Sequence, residues 1–322
     1  MNKFTSIILS LMFFIISFGT ILILNQDSIV NAEIVQSNEV KFHFLDVNSL
    51  PLGNSIIGSA DCIIIEDNGK VTIIDAGEIY NVSINKIIDY IDNLGLKKID
   101  NLFLTHPHSD HGGGMPAIIK NYDIGSVYLK PMDWTTMRQS EIVGRTREIY
   151  DDVYLSAKRK LNSDGTIVNI VIPDTEQQKI VVNENSYFEI FNCTEPFEKN
   201  IPQAEFNDYS MVVKYTHKNI SALLMGDINR AYEHVLLGKV GECKIFKASH
   251  HGTTGSNSSD ALYNEIKAEI GIISGTYGNT QIWPEWGEYI QTSFQRHNIE
   301  QYLTADDGDI IISTNGTIVY KQ

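Results

Sequence analysis

Cysteine is scarce in these 322 residues: three, at Cys62, Cys193 and Cys243. An odd, widely spaced set builds no disulfide framework, and each lies in apolar or strand-like sequence, so buried free thiols are expected. Basic side chains are few as well, 25 Lys and Arg against 40 Asp and Glu, for a formal charge of −15. Such a surface repels polyanions and counts against avid nucleic-acid binding, short of a local basic groove that overrides it. Long hydrophobic runs are confined to one place. Thr5 to Leu24 follows Lys3 with no charge inside it and is long enough to span a bilayer. Small residues at Val30-Asn31-Ala32 then suit a signal peptidase. Residues 1–32 therefore read as a signal peptide cleaved after Ala32, with an uncleaved membrane anchor as the alternative. Either places the remainder outside the cytoplasm, secreted or at the cell surface, and no cysteine near the junction offers lipid attachment.

What is left is ordinary for a globular domain, 43% hydrophobic and 20% charged. Residues 33–40 read as a polar linker and 41–322 as one domain with a sizeable core. Its densest chemistry is Thr105-His106-Pro107-His108-Ser109-Asp110-His111-Gly112-Gly113-Gly114. The apolar run Ile99, Leu102, Phe103, Leu104 before it reads as a buried strand. His106 and His108 are two apart in extended backbone, so their rings point the same way and can share a metal. Pro107 between them suits a strand end and rules out a helix interior. Asp110 and His111 can serve a second ion close by. The glycines let the backbone fold against a charged centre before Met115-Pro116-Ala117 opens a helix. Imidazole nitrogen with carboxylate oxygen is a ligand set for zinc, with manganese or iron as alternatives.

Around that stretch, Val40–Asp46 alternates as a strand. Asp61–Glu66 and Val71–Asp75 form a hairpin across Asn68-Gly69. Ile84, Ile87, Ile88, Ile91 and Leu94 recur at helical spacing, stopped by Gly95. A strand follows at Ser126–Leu129. The polar segment 131–165, helical over Ile149–Leu161, reads as a lid or as a solvated connection. Further strands are expected near 166–172, 186–192, 210–216 and 220–226, then a helix around Ala231–Leu237. Lys244–Ala248 and Ile270–Ser274 read as strands, Ala261–Ala268 and Tyr289–His297 as helices. A hairpin across Asn315-Gly316 closes the chain.

Ile73-Ile74-Asp75-Ala76-Gly77, His106-x-His108-x-Asp110-His111 and Leu223-Leu224-Met225-Gly226-Asp227 together resemble the metallo-β-lactamase superfamily of binuclear metallohydrolases. Phe44-Leu45-Asp46-Val47, Asn207-Asp208-Tyr209-Ser210 and Lys247-Ala248-Ser249-His250-His251-Gly252 are similar to two bacterial branches. One is the hydrolase domain of the DNA-uptake channel ComEC. The other is the phosphorylcholine esterase of choline-binding surface proteins, similar also at Val127-Tyr128-Leu129-Lys130. The resemblance implies an α/β fold, an αββα sandwich of two mixed sheets with helices outside.

It also implies two divalent ions, zinc first, with Mn2+ or Fe2+ possible. Their ligands would be His106, His108, Asp110, His111, the bridging Asp227 and His251. Asp75 would brace the metal loop, as metal ligands need outer partners. Asp227 is equally suited to cap a helix. By the same resemblance Asp110, Asp227 and His250 would form the catalytic set, His250 as phosphate contact or proton donor. The assignment of His250 and His251 is reversible. Most superfamily members carry a further histidine for the first ion, where this chain offers Asn207 and Ser210. That ion would be weakly held, which fits a phosphate ester better than a β-lactam.

Two ions roughly 3.5–4 Å apart can share a hydroxide and clamp the attacking and leaving oxygens. The expected activity is thus phosphodiesterase hydrolysis of small or cell-wall-linked phosphoesters such as phosphorylcholine esters, by attack of a metal-bound hydroxide. A ComEC-like nuclease or a lactone or amide hydrolase is the alternative, and a binding module on an inactive scaffold a third class. Tyr277, Trp283 and Trp286, on an expected loop after Ile270–Ser274, are candidate contacts for a quaternary ammonium beside Glu285. They serve equally as rim packing or a dimer contact. Membrane contact is expected only through an uncleaved N-terminal segment.

Overall fold

Leu102, Phe103 and Leu104 are all buried, yet they serve different cores. Leu102 and Leu104 pack outward with Ile73, Ile87, Ile118 and Val153, while Phe103 points inward to Phe42, Phe188 and Tyr215. A strand covered on both faces reads as an unbroken apolar run, because successive side chains take opposite faces. That double burial dictates the layering.

The computed structural model describes residues 39–47, 51–52, 55–56, 59–131, 145–194, 206–253, 257–275 and 284–322, with backbone alone at 51–52, 55–56 and 284–289. Among these, one sheet runs in spatial order β17 (Val319–Lys321), β16 (Ile310–Thr314), β1 (Val40–Phe44), β4 (Ile63–Asp67), β5 (Lys70–Ile74), β6 (Lys98–Leu104), β7 (Asp123–Leu129) and β8 (Asn169–Val171). The other runs β15 (Glu300–Leu303), β14 (Ile270–Ile273), β13 (Ile245–Lys247), β12 (Ile220–Leu224), β11 (Val212–His217), β10 (Ser186–Phe191) and β9 (Gln178–Asn183). A two-residue ribbon, β2 (Pro51–Leu52) with β3 (Ser55–Ile56), stands apart. Both sheets are mixed: β5 to β8 are parallel, and so are β12 to β15.

Helices close the outer faces. Ile87 and Ile91 of α1 (Asn81–Asn93), Ile118 of α3 (Met115–Asn121) and Val153 of α4 (Thr146–Arg159) cover the first sheet. Leu262 of α5 (Asp260–Ile266) and Phe294 of α6 (Pro284–Arg296) cover the second, against Leu223 and Phe246. The order is helix, sheet, sheet, helix, the αββα sandwich. Burying each such aromatic contributes roughly 2–3 kcal/mol, so the inter-sheet ring cluster is a principal stabilising element.

Several expectations change. Residues 132–144 lie outside the described residues, but α4 is neither a lid nor a solvated connection: Ile149, Val153 and Ala157 are buried in the outer core. The expected helix at Ala231–Leu237 is a short 3-10 stretch, Arg230–Val235. α6 begins at Pro284, so Glu285 and Trp286 sit in a helix rather than on a loop. Its start suits proline at a first turn, where the missing N–H has no intrahelical partner. The closing hairpin crosses back to the first sheet, where β16 pairs with β1. Strands β9 and β15 lacked a strong apolar alternation and were not expected.

Candidate metal centre

The parallel strands aim their C-terminal ends at one place. β5 delivers Asp75, β6 delivers Thr105 and His106, β12 delivers Gly226 and Asp227, and β13 leads to His250 and His251. Backbone bonds lock the loops together. Ala76 N donates to His111 O at 2.7 Å, Asp61 N to Asp110 O at 3.0 Å and Met211 N to Thr105 O at 2.9 Å. The glycines act by close approach rather than by special dihedrals. An added Cβ would meet Ala76 O at 2.1 Å from Gly114 and Ile79 N at 2.3 Å from Gly113. His108 precedes the short helix α2 (Ser109–Gly112), which turns Asp110 and His111 inward.

Asp110, His111, Asp227 and His251 converge, each offering a ligand atom within 4.8 Å of the others. His111 Nε2 is 3.2 Å and His251 Nε2 3.5 Å from Asp227 Oδ2, while Asp110 Oδ2 is 3.3 Å from His251 Nε2. Beside them His106 Nε2 lies 3.9 Å from Asp227 Oδ2 and 3.1 Å from His108 Nδ1. His250 Nε2 is 3.8 Å from the same carboxylate oxygen. His106, His111, Asp227 and His251 are buried; Asp110 and His250 are 26% and 30% exposed. The cluster therefore opens to solvent on one side.

His250 and His251 achieve their joint approach through strain. Both hold positive φ, 46° and 54°, a conformation costly for side chains with a Cβ. Asp75 does the same at φ 59°. Its Oδ2 accepts from His111 Nδ1 at 2.7 Å and from the Thr105 hydroxyl at 2.7 Å, and its Oδ1 from Thr105 N at 2.8 Å. Ser210 Oγ accepts from Asp227 N at 3.0 Å, and Asn207 Nδ2 lies 3.3 Å from His250 Nε2.

Residues 56–151 match the model of the Metallo-beta-lactamase superfamily. Over that stretch the chain is similar to metallo-β-lactamase domains. Among curated proteins it is similar to ComE operon protein 3 of Bacillus subtilis, 22% identical over 237 residues, 73% of this chain and 26% of that one. Competence protein ComA of Neisseria gonorrhoeae is 22% identical over 252 residues, 77% of this chain and 29% of that one. The chain thus spans less than a third of the curated relatives it matches. Among solved structures, the metallo-beta-lactamase fold protein YhfI of Bacillus subtilis aligns at a TM-score of 0.48 with 10% identity, covering 88% of this chain and 100% of that one.

The donor set of the site fits a cation. Donation of Nδ1–H to Asp75 leaves His111 Nε2 facing the cluster, 3.2 Å from Asp227 Oδ2, and among the described residues Asp227 Oδ1 has no hydrogen-bond partner. Burial alone would lower His111, but Asp227, Asp75 and Asp110 outweigh it and hold the imidazole well above its ordinary pKa. His106, dominated by burial with His111 and His108 beside it, is pushed well below. Burial opposes ionisation of Asp227, yet the surrounding imidazoles hold its carboxyl well below the usual range. Carboxylates that draw a proton onto a buried imidazole would exchange it for a divalent ion, since metal uptake and deprotonation are linked.

Three residues of the site had no expected role: Asp61, Lys247 and Ser274, all buried. A lysine closing the apolar run Ile245-Phe246 was the available signal, because a buried lysine requires a partner. Of the candidate substrate contacts, Tyr277 and Trp283 lie outside the described residues, and Trp286 lies in the first turn of α6. The three cysteines are buried and unpaired, and burial pushes the thiols of Cys193 and Cys243 up to about 12.

Proposed function

We propose that the chain is an extracytoplasmic, metal-dependent hydrolase of small phosphodiesters, phosphorylcholine esters among them. The observation that carries the reading is the convergence of Asp110, His111, Asp227 and His251 on one buried spot with a solvent-facing side. Bound divalent ions, zinc or a harder substitute, would supply electrophilic activation of a phosphoryl group and of water. The ligands would be those four together with His106 and His108, Asp227 reaching both halves. Asp75 holds His111 in the tautomer that presents Nε2, and Ser210 fixes the backbone N–H of Asp227. His250, chiefly desolvated and held below its ordinary pKa, is a neutral imidazole on the open side. Its N–H is placed to meet a leaving oxygen, a role that general acid catalysis assigns to histidine.

A nuclease acting on DNA keeps this chemistry and changes the substrate. Similarity to competence proteins favours it, while the charge of −15 disfavours a long polyanion. The decisive experiment is a panel on zinc- or manganese-reconstituted protein: p-nitrophenyl phosphorylcholine, bis-p-nitrophenyl phosphate, a lactone, a β-lactam and DNA. The proposal expects the choline ester to turn over fastest. Robust cleavage of DNA with no choline preference would replace it with the nuclease reading.

A further inference from the structure

The acidic set Asp61, Asp75 and His111 is buried and close enough to hold a cation of its own. The chain already supplies one. Lys247, fully buried at the end of β13, places Nζ against Asp61 Oδ2. The same Nζ donates to Gly226 O at 3.3 Å and lies 4.0 Å from Asp227 Oδ1. The ammonium thus ties the start of β4 in one sheet to the Gly226–Asp227 turn after β12 in the other. Asp61 does more than neutralise it. Its Oδ1 accepts from the Ser274 hydroxyl, and Ser274 Oγ is 3.2 Å from His251 Nδ1. A hydroxyl that donates to Asp61 can only accept from the imidazole, so Nδ1 carries a proton and Nε2 is the ring nitrogen left to face Asp110 and Asp227.

We infer that Asp61, Lys247 and Ser274 form a positioning relay for His251, equivalent to the one Asp75 provides for His111. The two histidines are then fixed by different carboxylates, His111 by Asp75 and His251 by Asp61, which reaches it through the Ser274 hydroxyl and also lies 3.5 Å from its Nδ1. Lys247 allows the second carboxylate to remain buried and charged. A lone buried carboxylate would carry a large desolvation cost, and so would the lysine without it. The backbone bonds of Asp61 serve the same end: its N–H donates to Asp110 O at 3.0 Å and its carbonyl accepts from Gly77 N at 2.8 Å. One residue therefore sets the backbone behind Asp110 and the ring of His251.

The relay rests on the metal-site reading, and its test reads zinc affinity by chelator competition beside the melting temperature of the metal-free protein. Ser274→Ala removes the hydroxyl without stranding a charge and is expected to weaken zinc binding about three- to tenfold with little change in melting. Asp61→Asn is expected to weaken it on the order of 10–100-fold, as loss of outer partners does. The double variant Asp61→Asn/Lys247→Met removes both charges. It should regain melting temperature relative to Asp61→Asn while zinc binding stays at least about tenfold weak, by the same comparison. Should Asp61→Asn fail to fold, Ser274→Ala and the double variant carry the test. Zinc affinity at the wild-type level in both would reduce the relay to a structural ion pair. A wild-type chain that takes up no zinc would instead overturn the metal site and the relay with it.

Discussion

At the scale of single residues, Asp227 stands where the arrangement concentrates. His106, His111, His250 and His251 all direct a ring nitrogen to its Oδ2, at 3.9, 3.2, 3.8 and 3.5 Å. Asp227→Asn keeps the size and removes the charge, so turnover is expected to fall at least about a thousandfold, comparable to loss of a principal electrostatic group. Circular dichroism should stay unchanged, and near wild-type turnover would reduce Asp227 to a backbone cap. Lys130 yields a different prediction. It is buried, donates to Asn192 O at 2.6 Å and lies 5.1 Å from the Tyr209 ring centroid, and burial lowers its pKa to about 8. Above that pH the unfolded chain binds a proton that the native state does not, so stability rises with pH and the penalty is full below pH 8. Chemical denaturation at pH 7 and 9 should show about 1 kcal/mol of gain at the higher pH, absent in Lys130→Met. An equal gain in Lys130→Met would assign it to another group.

At the scale of elements, the sequence was most legible where a pattern is local. Asn68-Gly69 announced the β4–β5 turn, and Asn68 holds φ 49° and Gly69 φ 78° there. The spacing of Ile84, Ile87 and Ile91 marked α1, and the His and Asp pattern after β6 marked the cluster. What stayed hidden is made between distant elements. Asp61 and Lys247 meet only because two sheets face each other, and no periodicity encodes that meeting. β15 lies at a sheet edge with Glu300 exposed, so its apolar signal is weak. On the proposed two-ion reading, the same asymmetry would govern metal loss. Asp110 and His111 on α2 close with Asp227 and His251, whereas His106 and His108 at the end of β6 have Asn207 rather than a histidine across from them near His250. Stepwise dialysis against a mild chelator should release one ion well before the other, read by metal analysis at each step. Simultaneous loss at equal affinity would count against this division.

At the scale of the whole molecule, charge bears on which of the proposed substrates can approach. The 25 basic and 40 acidic residues set a repulsive field for a polyanion, while a zwitterion with one phosphate carries no net charge to repel. Salt separates the cases, because it screens long-range repulsion over about 8–10 Å at physiological strength. A protein that grips DNA through a basic groove loses affinity steeply as salt rises, through counterion release. This chain is expected to do the opposite. Any cleavage of single-stranded DNA should increase or hold constant between 50 and 300 mM sodium chloride, values chosen to span roughly a doubling of screening. Over the same range kcat/KM for p-nitrophenyl phosphorylcholine should change by less than about twofold, since a neutral ligand is not steered. A steep loss of DNA cleavage with salt would reveal a local basic track strong enough to overcome the net charge, and would make DNA the substrate that the surface is built to receive.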